Sequence, residues 1–195
     1  MKKWNLDALY PSFESKEFQD SLVLIEKLIE ESKTYAINEF KDTSDALIKI
    51  KTFIFKSEEL RSLLIRAFIF CSLTLSTDAM NEDARKYMNQ MQVLFSKTTL
   101  ASTKFNKFVP KIENLDQLIK ENEELQELEY FLMSIVDGSK YLLSDNEEVL
   151  ISKFTQTSST AWSALQGELT SNLKVEYNGK QISLSEARNL AHDKD

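Results

Sequence analysis

Residue types that support catalysis are sparse in this sequence. It contains one histidine, His192, and one cysteine, Cys71. A zinc site of the His-Glu-x-x-His kind needs two imidazoles one helical turn apart and a third ligand, so a single histidine cannot build it. The one thiol–imidazole dyad that this sequence allows would join Cys71 to His192, but Cys71 lies in the most apolar segment and His192 lies in a polar tail. We therefore interpret Cys71 as a buried core residue.

Carboxylates are numerous but are not arranged as a catalytic pair. Adjacent glutamates occur at 58–59, 123–124 and 147–148. Neighbouring residues on a helix do not face each other, so these pairs cannot act as a general acid and base on one substrate. Glycine occurs only at positions 138, 167 and 179, which excludes a Gly-rich phosphate loop. The sequence thus assigns no catalytic, cofactor-binding or metal-ligating residue, and we expect the chain to be inactive by itself.

Composition narrows the class of partner. The 195 residues are 42% hydrophobic and carry a net charge of −7, with basic residues scattered along the chain. Because nucleic-acid binders need clustered Lys and Arg, nucleic acid is not an expected partner. The apolar window 60–75 contains two arginines and is short for a membrane span, so it predicts a buried core helix and no membrane partner. No secretory signal is recognisable, and a single cysteine fits the reducing cytoplasm, which is the predicted location.

The elements that would position any site are helices. Only three glycines and two prolines occur, which favours a mainly all-α class, a multi-helix bundle. Apolar spacing predicts helices over about 15–38 and 80–108, and two helices or one broken helix over 41–78, the second part of which should be central. Gly138 is predicted to cap a helix end, and Trp162 to lie in the core. The residues expected to face inward on the helix before Gly138 are Leu125, Leu128, Phe131, Leu132 and Ile135.

The C-terminal part carries local signals of a different kind. Ser144 with Glu147, and Ser183 with Glu186, each form a capping box at the start of a helix. Between them Asn178-Gly179 predicts a type I′ turn in a β-hairpin, because both central residues need positive φ. A two-stranded hairpin is marginal in water unless it packs on something. We therefore predict a helical N-terminal domain over 1–171, followed by a hairpin and a helix start over 172–195.

One face of the hairpin should be apolar and partly exposed. An exposed apolar face promotes association, so a dimer through the hairpin is expected. The apolar positions of the hairpin are Val175, Tyr177 and Ile182. The positions that recur on one face of the preceding helix are Leu150, Phe154, Ala161 and Leu165.

The order of these motifs resembles the N-terminal region of oligoendopeptidase F, a family of thimet-oligopeptidase-like zinc metallopeptidases. Residues 15–140 are similar to that family only as helices of suitable length. The residues that carry the resemblance are Leu143-Ser144, Glu147-Glu148, Leu150, Ala161-Trp162, Leu165 and the hairpin from Val175 to Leu184, with Trp4-Asn5-Leu6-Asp7 and Leu9-Tyr10-Pro11 at the start.

The resemblance implies a function that the residues alone do not. Members of that family are mainly helical zinc endopeptidases that cleave short peptides. Their N-terminal helical part forms a wall or lid of a deep cleft that excludes folded proteins. Their zinc ligands lie in a later catalytic region, and none of those positions occurs in this sequence. The expectation is therefore a substrate-gating N-terminal domain whose partners are a catalytic domain of the same polypeptide, with zinc bound there, and oligopeptide substrates.

An alternative of a different class stays open at this point. The absence of a catalytic set also fits a free-standing helical module that binds a peptide or a partner helix in a groove. The downstream reading frame distinguishes the two hypotheses, because only a metallopeptidase would continue into a His-Glu-x-x-His helix.

Overall fold

The predicted fold class is confirmed: the chain is mainly α-helical and has one hairpin near its C-terminus. The structure, a computed structural model, describes residues 5–190. The β-strands, β1 (Lys174–Tyr177) and β2 (Lys180–Ser183), pair antiparallel. The α-helices are α1 (Lys16–Glu39), α2 (Ala46–Thr77), α3 (Glu82–Phe108), α4 (Leu115–Lys120), α5 (Glu123–Gln126), α6 (Glu129–Gly138), α7 (Asp145–Thr155), α8 (Ala161–Asn172) and α9 (Leu184–Leu190).

Three long helices, α1 to α3, pack on one another and form the body of the protein. Side-chain caps start two of them, since Ser15 accepts a hydrogen bond from the Phe18 N–H and Asn81 accepts one from the Ala84 N–H. The prediction of two helices or a broken helix over 41–78 is wrong, because α2 is a single helix of 32 residues. It contains neither glycine nor proline, so nothing in it interrupts the backbone hydrogen bonds.

The apolar core of the body is divided into two clusters. The first cluster joins the N-terminal segment to the first half of α1, the second half of α2 and the first half of α3, and includes Phe18, Ile25, Leu64 and Met91. The second cluster joins the other halves of the same helices to the segment after α3. Its members include Ile50, Phe105, Phe108, Leu125 and Leu132.

Helix α2 buries one face and exposes the other. Phe55 is 71% exposed, and Ile48 and Ile69 are also exposed. The second half of α2, which is predicted to be central, packs on α1 and α3 and contributes to the first core cluster, yet it keeps Ile69 exposed. Among the described residues, α2 is long and apolar enough to cross a membrane by length and composition alone, a property that it shares with core helices.

Three short helices, α4 to α6, cover the end of the body that contains the second cluster. Leu125, Leu132 and Ile135 are buried as predicted, whereas Phe131 is 46% exposed, so its inward placement is wrong. Gly138 does not form a left-handed cap, because its φ of −73° keeps it in the right-handed helix. A 3-10 turn, Ser139–Tyr141, follows it directly and replaces the predicted cap.

The C-terminal elements follow the predicted local signals. The Ser144–Glu147 capping box is present at α7, and the Ser183–Glu186 box is present at α9. The hairpin turn has φ values of 52° at Asn178 and 73° at Gly179, as a type I′ turn requires. The apolar hairpin residues are partly exposed, as predicted.

A matched pair of truncations tests where the stability lies. Leu64→Ala removes a buried side chain from the first cluster and should lower the free energy of unfolding by about 2–5 kcal/mol. Leu169→Ala removes the same atoms from an exposed position on α8, and should change that free energy by no more than about 0.5 kcal/mol. Urea denaturation of both variants measures the difference. Equal destabilisation by the two would contradict this distribution of the core.

Candidate functional site

A long exposed apolar surface lies on α7 and α8. No residue of either helix is buried. Trp162 is 69% exposed, so its predicted place in the core is wrong. Ile151, Phe154, Leu165 and Leu169 are exposed as well. We call this surface, from Leu150 to Leu173, the apolar stripe.

A π-helical turn keeps the apolar stripe on one side. Residues Gln156–Thr160 form this turn between α7 and α8. A π turn holds about one residue more than an α-helical turn, which rotates everything after it by roughly 100° relative to a regular helix. On a regular helix, Trp162 and Leu169 would lie roughly a quarter turn away from Leu150 and Phe154. The π turn brings the two halves into line.

Polar contacts attach α7 to α3. Asp145 accepts hydrogen bonds from Lys107 Nζ at 2.8 Å and Lys104 Nζ at 3.1 Å. Further along, Gln156 Nε2 donates to the Gln92 carbonyl oxygen at 2.9 Å. The two lysines, Lys107 first, hold the pKa of Asp145 below its usual range. These contacts direct one side of α7 toward the body and leave the apolar stripe outside.

A cleft opens between α2 and α3, where the two core clusters meet. Its volume is about 680 Å³. Leu60 and Leu64 of the first cluster and Phe53 and Phe105 of the second contribute to its walls, and Phe131 stands at its edge. The cleft is therefore an interruption of the core that is open to solvent.

Polar groups occupy the floor and the mouth of this α2–α3 cleft. Ser32 of α1 lines it, is 4% exposed, and has a buried hydroxyl without a hydrogen-bond partner among the described residues. Glu58 and Arg61, one turn apart on α2, line the cleft and are exposed, so they stand at its mouth. Neither of them forms an ion pair within residues 5–190.

The residues that the sequence analysis weighed as candidates for catalysis are either buried in the core or exposed at the surface. Cys71 is buried as predicted, and burial raises the pKa of its thiol to about 11, which keeps it protonated. Glu58 and Glu59 are exposed, as are Glu123 and Glu124. His192 and Trp4 lie outside the described residues.

The described residues do not fit a zinc ion. Within 5–190 no group of three or more His, Cys, Asp or Glu side chains is arranged to hold a metal. The sequence has one histidine in all. Any zinc chemistry would therefore need ligands from another part of a longer polypeptide or from another chain.

Sequence reasoning missed the α2–α3 cleft. The signal that could have indicated it is a layer of small polar residues, Ser32, Ser57 and Thr98, one on each long helix. In a helix bundle such a layer leaves space where large apolar side chains would otherwise meet. Periodicity within one helix does not reveal it, because the layer exists only once the three helices are aligned.

Comparison with known proteins gives a family for one segment and a fold for the whole. Residues 111–174 match the family model described as Oligopeptidase F, which confirms the resemblance there. No curated protein matches the chain. Among solved structures, oligoendopeptidase-F from Enterococcus faecium has a TM-score of 0.69 at 21% identity, over 92% of this chain. At that identity the match shows a shared fold, and this chain covers 36% of that one.

The contact of Asp145 with two lysines predicts a pH dependence for the docking of α7. Its lowered pKa means that the stabilisation is complete above the ordinary aspartate pKa and is lost as the pH falls through the folded value. Asp145→Asn should therefore speed amide hydrogen exchange in α7 at pH 7, after correction for intrinsic rates, and the difference from the wild type should vanish in acid. Exposed pairs of this kind contribute about 0.2–1 kcal/mol each.

Asp116→Asn is the matched control for this experiment. Asp116 also lies in the first turn of a helix, α4, and forms no ion pair among the described residues. If both variants changed exchange in α7 equally, the two lysines would not be the cause.

Proposed function

Starting from the confirmed resemblance to oligoendopeptidase F, we propose that this chain is the N-terminal helical domain of an oligoendopeptidase F-like zinc metalloendopeptidase that hydrolyses short peptides. The observation that carries the proposal is the match of residues 111–174 to the Oligopeptidase F family model. The shared fold over 92% of the chain supports it. In this proposal the chain gates access of substrate and does not itself catalyse hydrolysis.

We propose the catalytic region of the same polypeptide as the partner of the apolar stripe. The stripe lies almost wholly inside the segment that matches the family model. Its exposed side chains include an indole, a phenyl ring and five branched aliphatic groups, a composition typical of buried interfaces. The chain covers 36% of the relative that shares its fold, so most of that relative has no counterpart here. We propose a region that corresponds to this remainder as the partner of the stripe.

The body suits a gating role in mechanical terms. Helices α1 to α3 share two dense core clusters, so they would move as one piece. A stiff wall beside a catalytic cleft admits an extended peptide and excludes a folded protein by size. The wall would be placed by α7 and α8, which connect it to the hairpin.

A second candidate function is favoured by the α2–α3 cleft. A free-standing module that binds a peptide or a partner helix needs a groove with apolar walls and a polar mouth, and the cleft has both. Under this proposal the apolar stripe would be covered by an unrelated protein. We propose the cytoplasm as the location in either case, since the single cysteine of the sequence is a protonated core residue.

Two measurements on the 195-residue chain test the proposed function. The chain should bind no stoichiometric zinc by atomic absorption and should not cleave fluorogenic oligopeptides, because residues 5–190 contain no ligand set and the sequence has a single histidine. The polypeptide extended through its natural downstream reading frame should contain a His-Glu-x-x-His helix and should do both. Zinc-dependent hydrolysis by the 195-residue chain, or a downstream frame without that motif, would contradict the proposal.

A charge placed on the apolar stripe tests the partner. Leu169→Glu should weaken binding of a separately produced downstream region more than tenfold, because a carboxylate would be buried without a counter-charge. It should also suppress self-association of the 195-residue chain in sedimentation experiments, since the stripe is exposed there.

Val23→Glu is the control variant for the stripe. Val23 is also an exposed aliphatic residue on a helix, but it lies on α1 and outside the stripe. Equal effects of the two variants would show that the stripe is not the contact surface.

A further inference from the structure

The α2–α3 cleft carries a structural cost that packing alone does not explain. The buried hydroxyl of Ser32 has no hydrogen-bond partner among the described residues. Leaving such a group unsatisfied typically costs about 1–3 kcal/mol, and alanine at this position would avoid that cost. Local departures from optimal packing and polar satisfaction are typical of functional sites.

The shape and lining of the cleft indicate the chemistry of a ligand. A volume of about 680 Å³ falls in the range of small-molecule sites. The inner walls are apolar because both core clusters contribute to them. At the mouth, Glu58 and Arg61 offer one negative and one positive group that are not paired with other described residues. An apolar molecule that carries both an ammonium and a carboxylate group complements this arrangement.

We propose that the α2–α3 cleft binds an apolar zwitterion, the chemistry shared by short apolar peptides and apolar amino acids. Arg61 donates hydrogen bonds to the carboxylate, and Glu58 accepts from the ammonium group. The apolar side chains of the ligand fill the space between the two core clusters. This inference gives the ligand chemistry of the cleft named in the second candidate function, and it is independent of the metallopeptidase proposal, since it needs neither zinc nor a downstream region.

The test is a calorimetric titration of the 195-residue chain with the dipeptide Leu-Phe. Saturable binding with one site is expected, and no measurable binding of Gly-Ser, which has the same charges without apolar side chains. Leucine separates the two sources of ligand. Equal affinity for leucine assigns the cleft to amino acids, and binding of the dipeptide alone assigns it to peptides; both results support the shared chemistry.

Charge variants paired with blocked ligands locate the two ends of the ligand. Arg61→Gln should weaken Leu-Phe binding about tenfold and should leave binding of the C-terminal amide of Leu-Phe unchanged. Glu58→Gln should act on Leu-Phe but not on its N-acetyl derivative. The controls are Arg188→Gln and Glu59→Gln, which remove the same charges from exposed positions outside the cleft.

Blocking the cleft gives a test that does not depend on removing core residues. Ser102 is exposed and lines the cleft from α3, so Ser102→Trp should fill the opening and abolish binding while circular dichroism shows an unchanged helix content. Undiminished binding by a folded Ser102→Trp variant would overturn the proposal, as would absence of binding by both Leu-Phe and leucine. Either result would also remove the support for the second candidate function, but neither would bear on the metallopeptidase proposal, which is tested by zinc content and hydrolysis.

Discussion

Burial of apolar side chains in this protein stops at Ile135, the last buried hydrophobic residue along the described chain. Everything before that point is held by two clusters of interlocked side chains. Everything after it depends on interactions that are local or polar. This limit explains why both capping boxes occur after residue 140, at Ser144 and Ser183. Helices that receive little support from packing depend more on satisfied ends.

The end of the buried core also divides the protein into a rigid body and a more loosely attached C-terminal part. The body resists deformation because its helices share dense clusters, while α7 and the π turn after it lie on α3 through partly buried lysine–carboxylate and amide contacts. Contacts of this kind fix a direction without providing much stability. The arm made by α7 and α8 is thus oriented by its own protein and left for another surface to stabilise, which is consistent with a domain that meets a partner along this arm.

Much of the fold could be predicted from the sequence, and the failures have a common origin. Local rules worked where the cause was local, as at the Asn178-Gly179 turn and the two capping boxes. Trp162 and Phe131 were misplaced because an apolar residue on a helical face looks the same whether its partner belongs to this chain or not. The exposed face of α2 was not foreseen for the same reason, since composition does not reveal how many neighbours a helix has.

The site was less accessible to such reasoning than the fold. The α2–α3 cleft depends on how Ser32, Ser57 and Thr98 come to the same level on three helices, and this alignment is a property of the assembled body. The family resemblance, in contrast, was visible from the order of short motifs in the C-terminal part, and the family match falls on residues 111–174. The hairpin lies just beyond that match, so its place in the resemblance is carried by the shared fold.

The π turn at Gln156–Thr160 holds about one residue more than a regular helix needs. Loss of one codon here would convert the turn to a regular helix and leave Trp162, Leu165 and Leu169 on their present side of the axis, because the residue removed is the one that the turn absorbs. Loss of one codon elsewhere in α7 or α8 would instead rotate every residue beyond it by roughly 100°, and the two halves of one continuous face would point in different directions. The π turn is therefore a place in the arm where the gene can lose a residue and keep the face intact.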